Sequence, residues 1–240
     1  MQETLSEKHR PRTLDQMCGQ SYAVMALKDF ADNPYPQAFI FSGDTGVGKT
    51  SCALALAHEL GVNMTWDFLQ IKSGELNDEA VDVACRMMRR CGVGDNFKLI
   101  LCDEADMMST KARGLWLSVL EDIPAKSVII FTTNDVEKFG QRFIDRCEHI
   151  KFERNARVLM PDAQCYLNRL WIAEGLHGNP PNIEDCQGVI VSAAMSFRRI
   201  ARFVESEMRK QASKLQTAAV STTISLSQHN ANKQTTGVRL

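Results

Sequence analysis

The sequence carries almost no net charge. Its 240 residues include 28 lysines and arginines and 29 aspartates and glutamates, so the formal net charge is −1. A chain-wide basic field for binding nucleic acid is therefore absent, and any such contact needs a local patch. Hydrophobic residues make up 44% and charged residues 24%. That balance is typical of a soluble globular protein with a buried core.

Long apolar runs and paired cysteines are missing as well. No apolar stretch reaches the roughly 20 residues that a membrane helix needs, and the first residues lack the apolar region of a secretory signal. The eight cysteines are scattered singly, without a CxxC pair, so neither a zinc site nor a disulfide framework is indicated. We therefore expect reduced thiols in a cytoplasmic protein, or a nuclear one in a eukaryote, with no membrane contact.

Short β-rich segments alternate with helical stretches through the first two thirds of the chain. The predicted strands lie at 39–41, 99–101, 128–131 and, more weakly, 150–152, and the predicted helices at 50–60, 78–90 and 110–120. Helices alternating with buried strands favour an α/β domain with a central parallel sheet. We assign residues 1–153 to this domain.

The character of the chain changes after this domain. Residues 154–212 predict a small all-helical domain, with helices over 159–174, 184–194 and 197–212 and a break rich in glycine and proline between the first two. From Ser213 onward Ser, Thr, Gln and Asn dominate. Residues 213–240 are therefore predicted to be a disordered tail.

A phosphate-binding motif follows the first predicted strand. It fits G-x-x-x-x-G-K-[ST] and opens a helix, which is the context that the motif requires. Its glycines allow successive N–H groups to face one anion, the lysine reaches the terminal phosphates and the threonine hydroxyl ligates Mg²⁺. The alternative is a chance glycine-rich turn. The predicted nucleotide-binding residues here are Gly43, Asp44, Thr45, Gly46, Val47, Gly48, Lys49, Thr50 and Ser51.

Two further strands end in polar residues. The strand at 99–101 leads into Asp103 and Glu104, and the strand at 128–131 leads towards Asn134. At the carboxyl edge of a parallel sheet, Asp103 is expected to hold Mg²⁺ and Glu104 to polarise the attacking water. Asn134 is expected to hydrogen-bond the γ-phosphate or that water, although asparagine is also a common turn residue.

The N-terminal residues resemble a known family. Residues 7–14, read E-K-H-R-P-R-T-L, are similar to the E-K-Y-R-P-x-T-L box of the small ATPase subunits of sliding-clamp loaders, the replication factor C type within the AAA+ superfamily. The resemblance covers about residues 5–210 and implies that this segment packs on adenine. It makes Arg10, Pro11 and Met17 the expected adenine contacts, and His9 stands where the family has tyrosine.

The resemblance extends to four later motifs. The D-E-A-D run at 103–106 is similar to that of the family, but Arg113 stands where a glutamine is usual. Asn134 resembles the residue called sensor 1. Arg146, in Asp-Arg-Cys instead of Ser-Arg-Cys, resembles the arginine that reaches ATP on the neighbouring subunit, with a surface salt bridge as the alternative. Arg198 matches the sensor 2 arginine of the lid, which is the family's term for the helical domain predicted here over residues 154–212.

Arginines at helical spacing suggest a local DNA contact. Arg86 and Arg89 share one helix face, and members of the family contact the DNA backbone from helices inside their spiral. We expect Arg86, Arg89 and Arg113 to bind phosphates without reading sequence. The alternative is a solvated helix face.

The resemblance implies an ATP- and Mg²⁺-dependent ATPase that loads a sliding clamp at primer–template junctions. The expected partners are other loader subunits, the clamp and the DNA backbone. Two alternatives stay open at this point. One is a helicase loader, initiator or recombination ATPase, and the other is a nucleotide-binding scaffold subunit that does not hydrolyse ATP.

Overall fold

A five-stranded parallel sheet forms the centre of the protein in the computed structural model, which describes residues 3–90, 96–186, 188–191 and 194–235. The strand order is β2-β3-β4-β1-β5, and every neighbouring pair is parallel. The predicted α/β fold with a central parallel sheet is confirmed. The strands are β1 (Gln37–Ser42), β2 (Phe68–Ile71), β3 (Lys98–Cys102), β4 (Ser127–Thr133) and β5 (Glu148–Lys151).

The three inner strands are buried because both faces of the sheet are covered. All residues of β3 and β4 are buried. Side chains of a strand alternate between the two faces, so Phe39 and Phe41 of β1 enter one hydrophobic cluster while Ala38 and Ile40 enter the other. This burial fixes the register of the strands and hence the position of the polar residues that follow them.

Helices and short 3-10 turns connect the strands. Before residue 154 the helices are α1 (Leu5–Lys8), α2 (Ser21–Asp32), α3 (Lys49–Glu59), α4 (Asp78–Arg89), α5 (Thr110–Glu121) and α6 (Gln141–Ile144), and the first two precede β1. In the part of the chain that the structure describes, no helix combines the length and the apolarity needed to cross a membrane.

The second domain differs from the all-helical prediction. Helix α7 (Ala156–Ala173) and helix α8 (Phe197–Thr235) flank a 3-10 turn at Ile183–Asp185 and two short antiparallel strands, β6 (Ile190–Val191) and β7 (Ala194–Met195). The helix predicted over 184–194 is therefore wrong. Gly188 has φ +76°, a left-handed value that ends helical structure, and the β-branched residues that follow it favour strands.

The C-terminal prediction also needs correction. Helix α8 continues to Thr235, whereas residues 213–240 were expected to form a disordered tail. Residues 213–235 contain no glycine or proline, so nothing in the sequence interrupts the helix that starts in the lid. The last five residues of the predicted tail, 236–240, lie outside the described residues.

The N-terminal helix α1 packs on the second domain, although the sequence analysis assigned it to the first. Leu5 is buried in the same cluster as Leu167, Leu170 and Val204, and its N–H donates to Glu205 Oε1 at 2.6 Å. Further along, Leu14 is buried in the sheet domain. The segment between Leu5 and Leu14 therefore spans the two domains.

Candidate nucleotide-binding site

The loop between β1 and α3 has the conformation that its glycines allow. Gly43, Gly46 and Gly48 have φ values of +150°, +85° and +109°, which side chains disfavour. A Cβ on Gly46 would also overlap Ser196 Oγ, and the Phe197 N–H donates to the Gly46 carbonyl at 2.9 Å. The loop therefore lies directly against the start of α8.

Lys49 points back into this loop. Its Nζ donates to the carbonyls of Gly43 and Asp44, at 2.6 and 2.9 Å, and to Asn134 Oδ1 at 2.9 Å. The residue is 9% exposed, and this burial lowers its pKa to about 8 although nearby carboxylates oppose the shift. The ammonium group is thus mostly charged near neutral pH and lies where a phosphate of the motif would be bound.

The carboxylate of Asp103 collects three side-chain donors at the end of β3. Its Oδ1 accepts from Thr50 Oγ1 at 2.9 Å and from Thr132 Oγ1 at 2.6 Å, and its Oδ2 accepts from Gln70 at 3.4 Å. Carboxylate and hydroxyl oxygens are the hard ligands that Mg²⁺ prefers, and the remaining positions are usually filled by phosphates and water. Asp103 and Thr50 fit such an ion.

The described side chains form no larger cluster of metal-ligating residues. No group of three or more His, Cys, Asp and Glu side chains is placed to hold a metal ion among residues 3–90, 96–186, 188–190 and 194–216, whose side chains are described. The two oxygen ligands beside the phosphate loop are thus the metal-binding feature that the geometry supports.

Glu104 has an unusual backbone conformation. Its φ is +54°, in the left-handed region that only a few non-glycine residues occupy. Its N–H donates to Thr132 Oγ1 at 3.0 Å, and its exposed side chain lines the same cavity as Lys49 and Asp103. A carboxylate placed there can accept a proton from water bound in the cavity.

The residues expected to contact adenine line the same cavity. Arg10, Pro11 and Met17 are among its lining residues, and Met17 Cε lies 3.0 Å from the position of a Cβ on Gly48. His9 does not line the cavity, because its Nε2 lies 2.5 Å from Glu174 Oε1 on the lid side. The N-terminal segment thus meets the phosphate loop at Met17.

Most of the predicted loop residues also line this cavity, but two do not. Gly43 contributes its carbonyl to Lys49, and Asp44 faces an adjoining cleft, where its Oδ1 lies 3.8 Å from Arg154 Nη1. Arg198 reaches the cavity from the first turn of α8. The predicted residues that line the cavity are Arg10, Pro11, Met17, Thr45, Gly46, Val47, Gly48, Lys49, Thr50, Ser51, Asp103, Glu104, Asn134 and Arg198.

Arg146 lies outside this cavity. Its Nη1 donates to the Arg142 carbonyl at 2.7 Å, and its Nη2 pairs with Glu121 at 2.8 Å. The neighbouring carboxylate of Asp145 accepts from Gln141 instead, at 2.6 Å. Arg146 is therefore held away from the nucleotide-binding cavity that the motifs predict in its own chain.

The three arginines expected to contact DNA also lie outside the cavity. Arg86 and Arg89 are exposed on α4, and Arg113 is half-buried on α5, which packs against α4. Arg113 Nη2 donates to the Met108 carbonyl at 3.4 Å, and its Nε is buried without a hydrogen-bond partner within the described residues. Arg86 and Arg89 thus lie on one helix, and Arg113 lies on another.

Several residues of the cavity were not predicted from the sequence. Tyr166 and Arg169 enter from α7, where the Arg169 guanidinium lies 5.2 Å from the Tyr166 ring, and Phe197 enters from α8. Gln70 lies at the end of β2, which was not predicted. For Thr132 a signal existed, because it directly precedes Thr133 and Asn134 at the strand end. The cavity residues missed from the sequence are Cys18, Gln70, Thr132, Thr133, Tyr166, Arg169, Phe197 and Ser6.

Comparison with known proteins agrees with this geometry. The model of the AAA family, the ATPase family associated with various cellular activities, matches residues 39–154. A replication factor C small subunit of Thermofilum pendens is 30% identical over 72% of this chain and 53% of its own length. One from Staphylothermus marinus is 32% identical over 70% and 51%, and replication factor C subunit 3 of Saccharomyces cerevisiae is 30% identical over 61% and 44%. The chain spans about half the length of these relatives.

Solved structures share the fold at low identity. The Thermotoga maritima RuvB Holliday junction branch migration motor aligns over 82% of this chain and 72% of its own, with a TM-score of 0.53 and 16% identity. A DNA polymerase III gamma subunit-related protein from the same organism aligns over 75% and 57%, with a TM-score of 0.55 and 12% identity. The family match and the replication factor C relatives confirm the family resemblance predicted from the sequence, and the solved structures support the fold.

Proposed function

Because this chain is an AAA-family protein of the replication factor C type, we propose that it binds ATP with Mg²⁺ and hydrolyses it as one subunit of a sliding-clamp loader. In this proposal the cycle of binding and hydrolysis places a clamp at primer–template junctions. The matched relatives are named as replication factor C subunits. The activity proposed here for this chain is the activity of that type of protein.

The contact between Lys49 and Asn134 is the observation that supports hydrolysis most directly. It joins the phosphate loop to the end of β4 across 2.9 Å, beside the Thr50–Asp103 bond. A triphosphate that displaces the loop carbonyls from the ammonium group would meet Asn134 at the same point. The amide can then orient water or the γ-phosphate.

The other side chains have separate roles in the proposal. Mg²⁺, when bound, would neutralise charge that develops on the phosphates. Glu104 accepts the proton of the attacking water, since its carboxylate is exposed to the cavity. Arg198 binds phosphate from the lid, and Arg146 serves the site of a neighbouring subunit because it is remote from its own.

Hydrolysis measured in three conditions tests this function. The chain is assayed alone, with primed DNA, and with primed DNA and the clamp of the same genome. We expect the rate to rise with DNA and again with the clamp. Lys49→Ala should abolish turnover, and Lys214→Ala, which removes an exposed lysine of α8, serves as the matched control. Turnover by Lys49→Ala at the wild-type rate would contradict the site.

The same assay separates the alternatives. A rate that rises with DNA and ignores the clamp would favour a helicase loader, initiator or recombination ATPase. Measurable ATP binding without turnover in any assembly would favour a scaffold subunit. The DNA contacts are tested in parallel, because Arg86→Ala and Arg89→Ala should weaken DNA stimulation and reduce its salt dependence.

A further inference from the structure

The hydroxyl group of Thr132 connects the two acidic residues of the site. Oγ1 lies 2.6 Å from Asp103 Oδ1 and 3.0 Å from the backbone nitrogen of Glu104. A threonine hydroxyl has one hydrogen to donate and lone pairs to accept with. It therefore donates to the Asp103 carboxylate and accepts from the Glu104 N–H, so one side chain serves two consecutive residues.

The side chain of Thr132 is itself fixed in position, so it can orient the groups that it bonds. It is 1% exposed and belongs to β4, which lies between β3 and β1 in the sheet. Neighbouring strands on both sides fix its backbone, and the buried β-branched side chain has few rotamers available. The hydroxyl group therefore has a fixed position at the carboxyl edge of the sheet, where the cavity opens.

The Asp103 carboxylate depends on the Thr132 hydroxyl group for its orientation. Oδ1 takes the short bond from Thr132, while within the described residues Oδ2 accepts the 3.4 Å contact from Gln70. The remaining donor, Thr50, is itself the expected ligand of the metal ion and would exchange its bond to Asp103 for one to the ion. Thr132 alone among the three donors can keep a short bond to Asp103 when an ion is bound.

The backbone conformation of Glu104 depends on the Thr132 hydroxyl group as well. The φ of +54° at this residue is costly for a side chain with a Cβ and persists only where surrounding contacts hold it. The N–H bond to Thr132 is such a contact, and the next residue begins the 3-10 turn Ala105–Met107. This conformation turns the Glu104 side chain into the cavity.

We propose that Thr132 is a positioning residue that sets Asp103 for the metal ion and Glu104 for the attacking water through one shared hydroxyl group. This inference rests on the proposed ATPase function. It requires a hydroxyl at position 132, which serine supplies and valine of nearly the same shape does not.

The test compares Thr132→Val with Thr132→Ser and the wild-type chain. Metal-supporting side chains of this kind change affinity or activity about 10- to 100-fold. We expect Thr132→Val to lower kcat by about that factor while KM for ATP changes much less, and Thr132→Ser to stay close to wild type. A second readout is binding of a fluorescent ATP analogue during Mg²⁺ titration. Thr132→Val should need about tenfold more Mg²⁺ and bind the metal-free analogue as before.

The outcomes distinguish this inference from the proposed function. Wild-type kcat and Mg²⁺ requirement in Thr132→Val would overturn it, and so would equal losses in the valine and serine variants. If the wild-type chain binds nucleotide without turnover, the ATPase proposal fails, while the Mg²⁺ titration still decides the role of Thr132. If melting shows that Thr132→Val is unfolded, Thr132→Ala replaces it in both measurements, with the same outcomes required.

Discussion

His9 and Glu174 join the two domains through a direct contact, in which His9 Nε2 lies 2.5 Å from Glu174 Oε1. Lys8 Nζ reaches the same carboxylate oxygen at 2.8 Å. The N-terminal segment that leads to the expected adenine contacts is thereby tied to the end of α7.

The carboxylate of Glu174 should make this contact dependent on pH. Burial alone raises the pKa of Glu174, but the hydrogen bonds from Lys8 and His9 outweigh it and lower the pKa below the ordinary glutamate value of 4.5. A carboxyl group with a depressed pKa in the folded state contributes stability above its unfolded pKa and loses it as the pH falls through the folded pKa. We expect Glu174→Gln to cost about 1–2 kcal/mol near neutral pH.

Urea unfolding of the two proteins across the acid range checks this prediction. The difference in unfolding free energy between wild type and Glu174→Gln should shrink as the pH falls below 4.5. Glu184→Gln is the matched control, since Glu184 is an exposed carboxylate of the same domain. A difference that stays constant down to the acid limit would contradict the ionic origin of the contact.

Lys49 should make nucleotide affinity dependent on pH in the alkaline range. Its pKa of about 8 results from burial, and phosphate favours the charged amine. The affinity for ATP should therefore fall as the pH rises above about 8, at most about tenfold per pH unit. Binding of ATP should also be accompanied by uptake of protons near that pH. Calorimetry in buffers of different ionisation enthalpy measures this proton uptake. Lys49→Ala should bind ATP weakly, and a pH profile that it shares with wild type would assign the titration to another group.

The Lys49 amine should also make the stability of the nucleotide-free protein depend on pH, but stability should rise with pH where the affinity for ATP falls. Because the pKa of Lys49 in the folded protein lies below the ordinary lysine value of 10.5, the unfolded chain binds more protons than the folded one between about pH 8 and 10.5. Stability should rise with pH through this window as far as Lys49 is concerned. Subtracting the stability curve of Lys49→Ala from that of wild type isolates this contribution.

Much of the fold could be predicted because its strands are apolar and buried. The predicted helix over 110–120 lies at Thr110–Glu121, and that over 78–90 lies at Asp78–Arg89. Strand β2 was missed because it is an edge strand, with only Ile71 fully buried, so its short sequence has no continuous apolar run. The strands β6 and β7 are two residues each, too short to leave a pattern.

The candidate site was predicted where local spacing determines it. The phosphate loop places Lys49 and Thr50 by its own conformation, so eight consecutive residues predict it. The roles of Thr132, Tyr166 and Arg169 depend on distant strands and helices meeting at one cavity, which no local spacing encodes. The contact of Gly46 with Ser196 is of this second kind, because the two residues are 150 positions apart.

Gly46→Ala should separate the lid from the phosphate loop. The new Cβ would overlap Ser196 Oγ, and φ of +85° strains any residue with a side chain. We expect a loss of about 1–3 kcal/mol in unfolding free energy together with weaker ATP binding. The double variant Gly46→Ala/Ser196→Gly removes the overlap with the Ser196 side chain but keeps the strained φ. It should therefore recover part of the lost unfolding free energy.

Gly114→Ala is the control for this substitution. Gly114 lies inside α5, has no positive φ, and has no atom within 4 Å of an added Cβ. Alanine there should stabilise the helix by up to about 1 kcal/mol. If Gly46→Ala melts at or above the wild-type temperature and binds ATP equally well, the loop does not need its close approach to Ser196.

Arg146 should act on the nucleotide of a neighbouring subunit, and mixing two inactive variants tests this. Lys49→Ala has a defective ATP site and an intact Arg146, whereas Arg146→Ala has the reverse. If the arginine acts across an interface, each variant should be nearly inactive alone, since such arginines contribute about 10³–10⁵ in rate. A mixture forms some interfaces with an intact site and an intact arginine, and its turnover should exceed the sum of the two. Arg146→Ala should still bind ATP, because Arg146 pairs with Glu121 and not with its own site. Wild-type turnover by Arg146→Ala would instead assign this residue to the surface salt bridge alone.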